Sequence, residues 1–171
     1  MLRALIRKLT FPLVALYWRL AKPKSFGVKA LILRGQGESR EALLVWHSYG
    51  DGKNWNLPGG GYNPKREAPE QAMQRELTEE LGITNLLLTW LCEYKTDAQG
   101  KQDCVQIFQS TYEGGFRPQD GEISELRWFP LTALVKNTAF YRSIRAAAQA
   151  ALQVALQQTK LEDDGSRPAP G

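Results

Sequence analysis

Glu76, Glu79 and Glu80 constrain this chain more than any other feature. They close the stretch Gly61–Ile83, in which a glycine loop runs into a segment of helical period. At 100° per residue, Glu79 lies at about 300° and Glu80 at about 40° from Glu76, so the three carboxylates share an arc of about 100°. Met73, Leu77 and Leu81 fall on the adjacent face. One face of the predicted helix, Ala68 to Leu81, is therefore buried, and its neighbour is a wall of like charge that repels itself. Such a wall is tolerated best with a cation in front of it. Oxygen ligands without histidine or thiolate select Mg²⁺, Mn²⁺ or Ca²⁺. Mg²⁺ held by one or two carboxylates implies a polyphosphate as the other partner. Taken alone, the carboxylates fit a solvated charged face equally well.

The flanking residues add to this reading. Pro58-Gly59-Gly60-Gly61 precedes the helix, and glycines there let the backbone approach a ligand or present a carbonyl. Arg75 stands one turn before Glu79 and can fix its rotamer. Glu67, near the helix start, suits the macrodipole and can cap free N–H groups. Gly82 is a helix stop.

The stretch resembles the box of the Nudix hydrolase family, G-x5-E-x7-R-E-U-x-E-E-x-G-U, with U a bulky aliphatic. Gly61, Glu67, Arg75, Glu76, Leu77, Glu79, Glu80, Gly82 and Ile83 occupy its fixed positions at the correct spacing. The resemblance implies an α/β fold, a Nudix-type α/β/α sandwich with a mixed sheet, over residues 26–158. It implies a metal-dependent pyrophosphohydrolase acting on a nucleoside diphosphate linked to a moiety X. Its metal ligands would be Glu76, Glu79, Glu80 and the Gly60 carbonyl, with Mg²⁺ as the cofactor and Mn²⁺ as a substitute. Arg75 would orient the glutamates, and Gly61, Glu67 and Gly82 would shape the loop and helix. Many family members use a further acid from a later loop. Glu122 is the expected residue here, with Glu125 and Asp120 behind it. Trp46, Tyr49, Trp55 and Tyr62 are expected to bind substrate by stacking. The alternative is a nucleotide-binding sensor on the same fold without turnover. Subgroup signatures are missing: no proline follows the box until Pro118. Nucleoside triphosphates, nucleotide sugars and lipid-linked diphosphates all stay open.

Strands are expected at Phe26–Arg34, Glu41–Ser48, Asn85–Thr96, Asp103–Glu113 and Ile123–Phe129. A last helix is expected over Thr138–Gln158, capped by Asn137 or Thr138. Residues 159–171 read as a disordered tail. Residues 1–25 form a basic arm with an approximate helical apolar stripe. It reads either as an amphipathic helix touching anionic lipid through residues 1–22 or as a helix covering the core or a dimer partner. Homodimerisation is thus compatible with the sequence. The whole chain carries a formal charge of +4, yet six cations without an acid lie in residues 1–24, so the remainder is net −2. A basic patch on the body is missing, and no nucleic-acid partner is expected. Cys92 and Cys104 read as half-buried thiols of a reducing compartment, able to face each other across a hairpin. The expected location is cytoplasmic, at the inner membrane face if the arm meets lipid. His47, the one histidine, reads as a surface or hydrogen-bonded strand residue.

Overall fold

Alternation along the first strand divides the protein into two cores. Val28, Ala30 and Ile32 point to one face of a sheet, Leu31 and Leu33 to the other, and all are buried. A strand covered on both faces needs a near-continuous apolar run, and Ala30-Leu31-Ile32-Leu33 supplies it. The structure is a computed structural model that describes residues 24–47, 55–97, 102–118 and 123–163. The basic arm up to residue 23 and residues 164–171 lie outside the described residues.

The elements are β1 (Lys24–Arg34), β2 (Glu41–His47), α1 (Pro69–Leu81), β3 (Thr89–Thr96), β4 (Gln102–Thr111), β5 (Ile123–Pro130), α2 (Leu131–Lys136) and α3 (Arg142–Asp163). The five strands form one mixed sheet in the order β3-β4-β1-β2-β5. Among the described strands only β1 and β4 run parallel, paired from Lys24↔Gln102 to Leu33↔Thr111. Helix α1 covers one face, packing Met73, Leu77 and Leu81 on Val28, Ile32, Leu43 and Phe108. Helices α2 and α3 cover the other, packing Leu131, Leu134, Ile144 and Ala147 on Leu31, Leu44 and Ile107. This is the three-layer sandwich expected.

Several boundaries differ from expectation. The strand after α1 starts at Thr89 rather than Asn85: Asn85 takes a left-handed φ of 55°, and the Leu86 and Leu87 carbonyls accept from the side chains of Gln74 and Ser110. The last helix begins at Arg142 and runs to Asp163, so residues 159–163 are helical rather than tail. Asn137 does not cap it; its Oδ1 accepts the Ala139 N–H at 2.9 Å in the turn before. Cys104 stands opposite Lys95, and Cys92 opposite Ile107, so the two thiols do not face each other; both are free. No described helix is long and apolar enough to cross a membrane.

Helix α1 has identifiable ends. Pro69 opens it, and the Gln71 Oε1 accepts the Ala68 N–H at 3.0 Å. Glu67 is therefore not the cap that its position suggests. At the other end Gly82 has φ 69°. The Gly82 N–H bonds the Thr78 carbonyl, and the Ile83 N–H bonds the Leu77 carbonyl. The Gly82 bond is the five-to-one pairing of a left-handed cap, and the two bonds together satisfy orphan carbonyls of the last turn.

Candidate functional site

Between β1 and β2 the chain from residue 55 to residue 61 wedges in as a short extended piece. Val45 and Asn56 exchange two backbone bonds of 2.9 Å. On the other side the Val28 N–H donates to the Gly60 carbonyl at 2.9 Å and the Ala30 N–H to the Pro58 carbonyl at 3.0 Å. The sheet thus carries the glycine loop to the edge of α1, where the three glutamates stand.

Glu76 lies against Gly60. A Cβ at residue 60 would sit 2.6–2.7 Å from the Glu76 carboxylate atoms, so any side chain there would displace that carboxylate. Gly59 is required for a different reason. Its φ is 124°, and a Cβ there would meet the Val28 carbonyl oxygen at 2.3 Å. The Gly59 N–H donates to Glu80 Oε2 at 2.8 Å, and Glu80 is only 4% exposed. A buried carboxylate is tolerated only when hydrogen-bonded or paired, and the loop amide supplies such a bond.

Arg75 gathers the other carboxylates. Its Nη1 donates to Glu76 Oε1 at 2.7 Å and to Glu79 Oε2 at 3.1 Å. Its Nη2 donates to Glu67 Oε1 at 3.1 Å, and its Nε to Glu67 Oε2 at 3.3 Å. Glu67 holds Arg75 by a two-pronged contact, a geometry matched to the planar guanidinium. Glu67 acts on the site through Arg75. These bonds push the Arg75 pKa upward, the Glu67 hydrogen bond contributing most.

The site donors are hard oxygen throughout. Among the described residues, no three acidic, histidine or cysteine side chains stand converged on a single metal position. The hydrogen bonds give the reason: Arg75 holds Glu76 and Glu79, and the Gly59 amide holds Glu80. The carboxylate oxygens of Glu76, Glu79 and Glu80 and the Gly60 carbonyl are donors of the chemistry that a hard divalent cation takes. On that ground the residues fit such an ion.

Of the aromatic residues singled out in the sequence, Trp46 and Trp55 come together, with ring centroids 5.3 Å apart. Tyr62 does not join them. It packs edge-on against Phe26, on the α1 side of the sheet. Tyr49, Glu122 and Asp120 lie outside the described residues. Glu125 is engaged by Arg127.

Two cations were not signalled as site residues. Arg127 places its guanidinium 4.9 Å from the centroid of Trp55. Lys29 sends its ammonium to the Leu57 carbonyl at 2.9 Å and the Gly59 carbonyl at 2.6 Å. A signal for Lys29 was available: it is the one charge within the apolar run Val28–Leu33. Burial lowers its pKa, and the charges of Glu80 and Glu76 oppose that shift.

His47, at the end of β2, has its pKa pulled below 6.5 by burial first and by the Lys29 charge second. The unfolded chain then takes up a proton that the folded protein resists. Stability falls as pH drops below about 6.5 through this group. His47→Gln should flatten the slope of urea midpoint against pH between 7.5 and 5.5. An unchanged slope would remove His47 from the account.

The family model of the NUDIX domain matches residues 23–149. The RNA pyrophosphohydrolase of Proteus mirabilis is 47% identical over 47 residues, 27% of this chain and 26% of that protein. The chain thus matches about a quarter of the length of such curated relatives. Among solved structures, the MutT NUDIX hydrolase of Burkholderia pseudomallei is 26% identical, with a TM-score of 0.62, over 74% of this chain and 97% of that one. The NUDIX domain of Shewanella oneidensis NrtR complexed with ADP ribose is 21% identical, with a TM-score of 0.63, over 78% and 90%.

Proposed function

The chain belongs to the NUDIX family, and from that membership we propose that it is a pyrophosphohydrolase that cleaves a phosphoanhydride in a nucleoside diphosphate linked to a second moiety. The observation that carries the reading is the set of Glu76, Glu79 and Glu80 around Arg75 and the Gly59–Gly60 backbone. A sensor domain without turnover has no need to keep all three carboxylates and the arginine that orients them.

Glu76, Glu79, Glu80 and the Gly60 carbonyl would hold Mg²⁺, with Mn²⁺ able to replace it. When bound, the ion supplies Lewis-acid polarisation of the phosphoryl oxygens. Arg75 fixes the rotamers of Glu76 and Glu79, so that little reorganisation is needed when the diphosphate arrives. A carboxylate of the cluster accepts the proton of the attacking water, the role a positioned general base fills. Glu122 stays a proposal as a later-loop acid.

Trp46 and Trp55, beside the Arg127 guanidinium, offer an aromatic surface for a flat base. Tyr49 stays a proposal as a substrate-binding residue, and Tyr62 is proposed for the opposite side of the loop. ADP ribose in the NrtR domain makes a nucleoside diphosphate linked to a sugar the natural first substrate to test. The RNA pyrophosphohydrolase match is too short to carry that protein's substrate here. Peripheral contact of residues 1–22 with anionic lipid is likewise proposed, and vesicle binding that survives deletion of those residues would end it.

The test is product release from a panel of nucleoside diphosphate compounds and nucleoside triphosphates with Mg²⁺. Turnover of at least one diphosphate-linked compound is expected. Nucleotide binding with no turnover of any compound would favour the sensor and sink the enzyme.

A further inference from the structure

Beyond Asn56 the wedged loop is no longer held to β2 by backbone exchange. The Leu57 N–H turns to the Asn56 side chain, at 2.9 Å from Oδ1. The next backbone groups divide between β1 and two charged side chains. Pro58 and Gly60 give their carbonyls to the amides of Ala30 and Val28. Leu57 and Gly59 give theirs to the ammonium of Lys29. The Gly59 N–H goes to Glu80. One residue of the loop therefore meets Lys29 through its carbonyl and Glu80 through its amide.

We propose that Lys29 is a positioning residue for this site: its ammonium takes the two loop carbonyls left over by strand pairing and thereby sets the Gly59 amide against Glu80. Partly buried carbonyls without a donor are costly, and the loop would turn to find others. A lysine suits the task because its compact ammonium has three donors that rotate freely. Two of them reach carbonyls two residues apart. A planar guanidinium would have to open that spacing. The Lys29 charge also faces Glu80 and Glu76, so it offsets part of the repulsion within the cluster. As regards metal, the proposal rests on the reading of Glu80 and Gly60 as ion-holding groups.

Two effects of removing the ammonium oppose each other. Electrostatics alone would tighten the hold on a divalent ion, because a like charge disappears. Loss of position would loosen it, because Glu80 and the Gly60 carbonyl shift apart. Positioning predicts that the second effect wins.

The test compares the full chain with Lys29→Met and Lys29→Gln. Two readouts are taken well below the melting transitions. The first is Mn²⁺ affinity, from the resonance signal of free Mn²⁺. At least a tenfold loss is expected in Lys29→Met and a smaller loss in Lys29→Gln, which can still donate to one carbonyl. Affinity that rises or stays level overturns the proposal. Leu134→Ala, a core truncation under α2, should melt earlier yet keep its Mn²⁺ affinity. An equal loss there would mean general softening and would also overturn it.

The second readout is amide exchange in the metal-free protein. The Gly59 amide should exchange at least tenfold faster in Lys29→Met, while the Asn56 amide, bonded to Val45, keeps its rate. Unchanged Gly59 exchange sinks the proposal even if the enzyme is active. A parent chain that binds no Mn²⁺ while Gly59 exchange responds sinks the metal reading and supports the positioning. If Lys29→Met fails to fold, Lys29→Gln carries both readouts.

Discussion

Glu80→Gln is expected to lower kcat by about 10²–10⁴-fold, the range for loss of a positioned proton-transfer group, while the protein stays folded. The reason for the split lies in what glutamine keeps. Glu80 is almost wholly buried, and its Oε2 accepts the Gly59 N–H. The amide oxygen of glutamine can accept the same bond in the same volume, so stability should change by about 1 kcal/mol. What disappears is one negative charge from the cluster. Steady-state rates with Mg²⁺, together with thermal melts, decide the point. A variant within tenfold of the parent would show that the reaction does not depend on the Glu80 charge.

The contrast between what the sequence revealed and what it concealed follows the distance over which each feature is built. The carboxylate wall was legible because helical period alone puts Glu76, Glu79 and Glu80 on one face, beside the buried Leu77 and Leu81. The sheet was legible because apolar runs of strand length alternate with turn residues. The role of Lys29 was not, because it depends on a loop 28 and 30 residues later arriving at its ammonium. Local pattern carries no such information. Glu67 shows the same limit in a milder form. Its place before α1 suggested a cap, but a carboxylate that can reach a guanidinium gains more from a two-pronged ionic contact than from one amide. The aromatics divide likewise: Trp46 and Trp55 meet only because the wedged segment pairs with β2 at Val45 and Asn56. Tyr62, six residues after Asn56, lies on the other side of the sheet.

The glycines at 59 and 60 separate stability from catalysis, and substituting each by alanine should give opposite results. Gly60→Ala is expected to cost about 10²-fold in kcat with a melting temperature close to that of the parent. Its φ is not in the left-handed region, so alanine brings no backbone strain and even restricts the unfolded chain slightly. The new methyl group, however, meets the Glu76 carboxylate at 2.6–2.7 Å, and Glu76 must move. It is the end of a flexible side chain, so it can give way without unfolding the protein. Moving it breaks the 2.7 Å contact with Arg75, and misplacement of a reacting group by about 1 Å is enough for a loss of this size. Gly59→Ala meets backbone instead, at 2.3 Å from the Val28 carbonyl oxygen and with φ at 124°. Nothing flexible can yield there, and a loss of roughly 2–4 kcal/mol is expected from strain and the displaced loop. Melting curves and kcat on the two purified variants check both halves. A fully active Gly60→Ala protein would place Glu76 outside the chemistry, and a Gly59→Ala protein as stable as the parent would mean that the loop does not run between β1 and Glu80 as described.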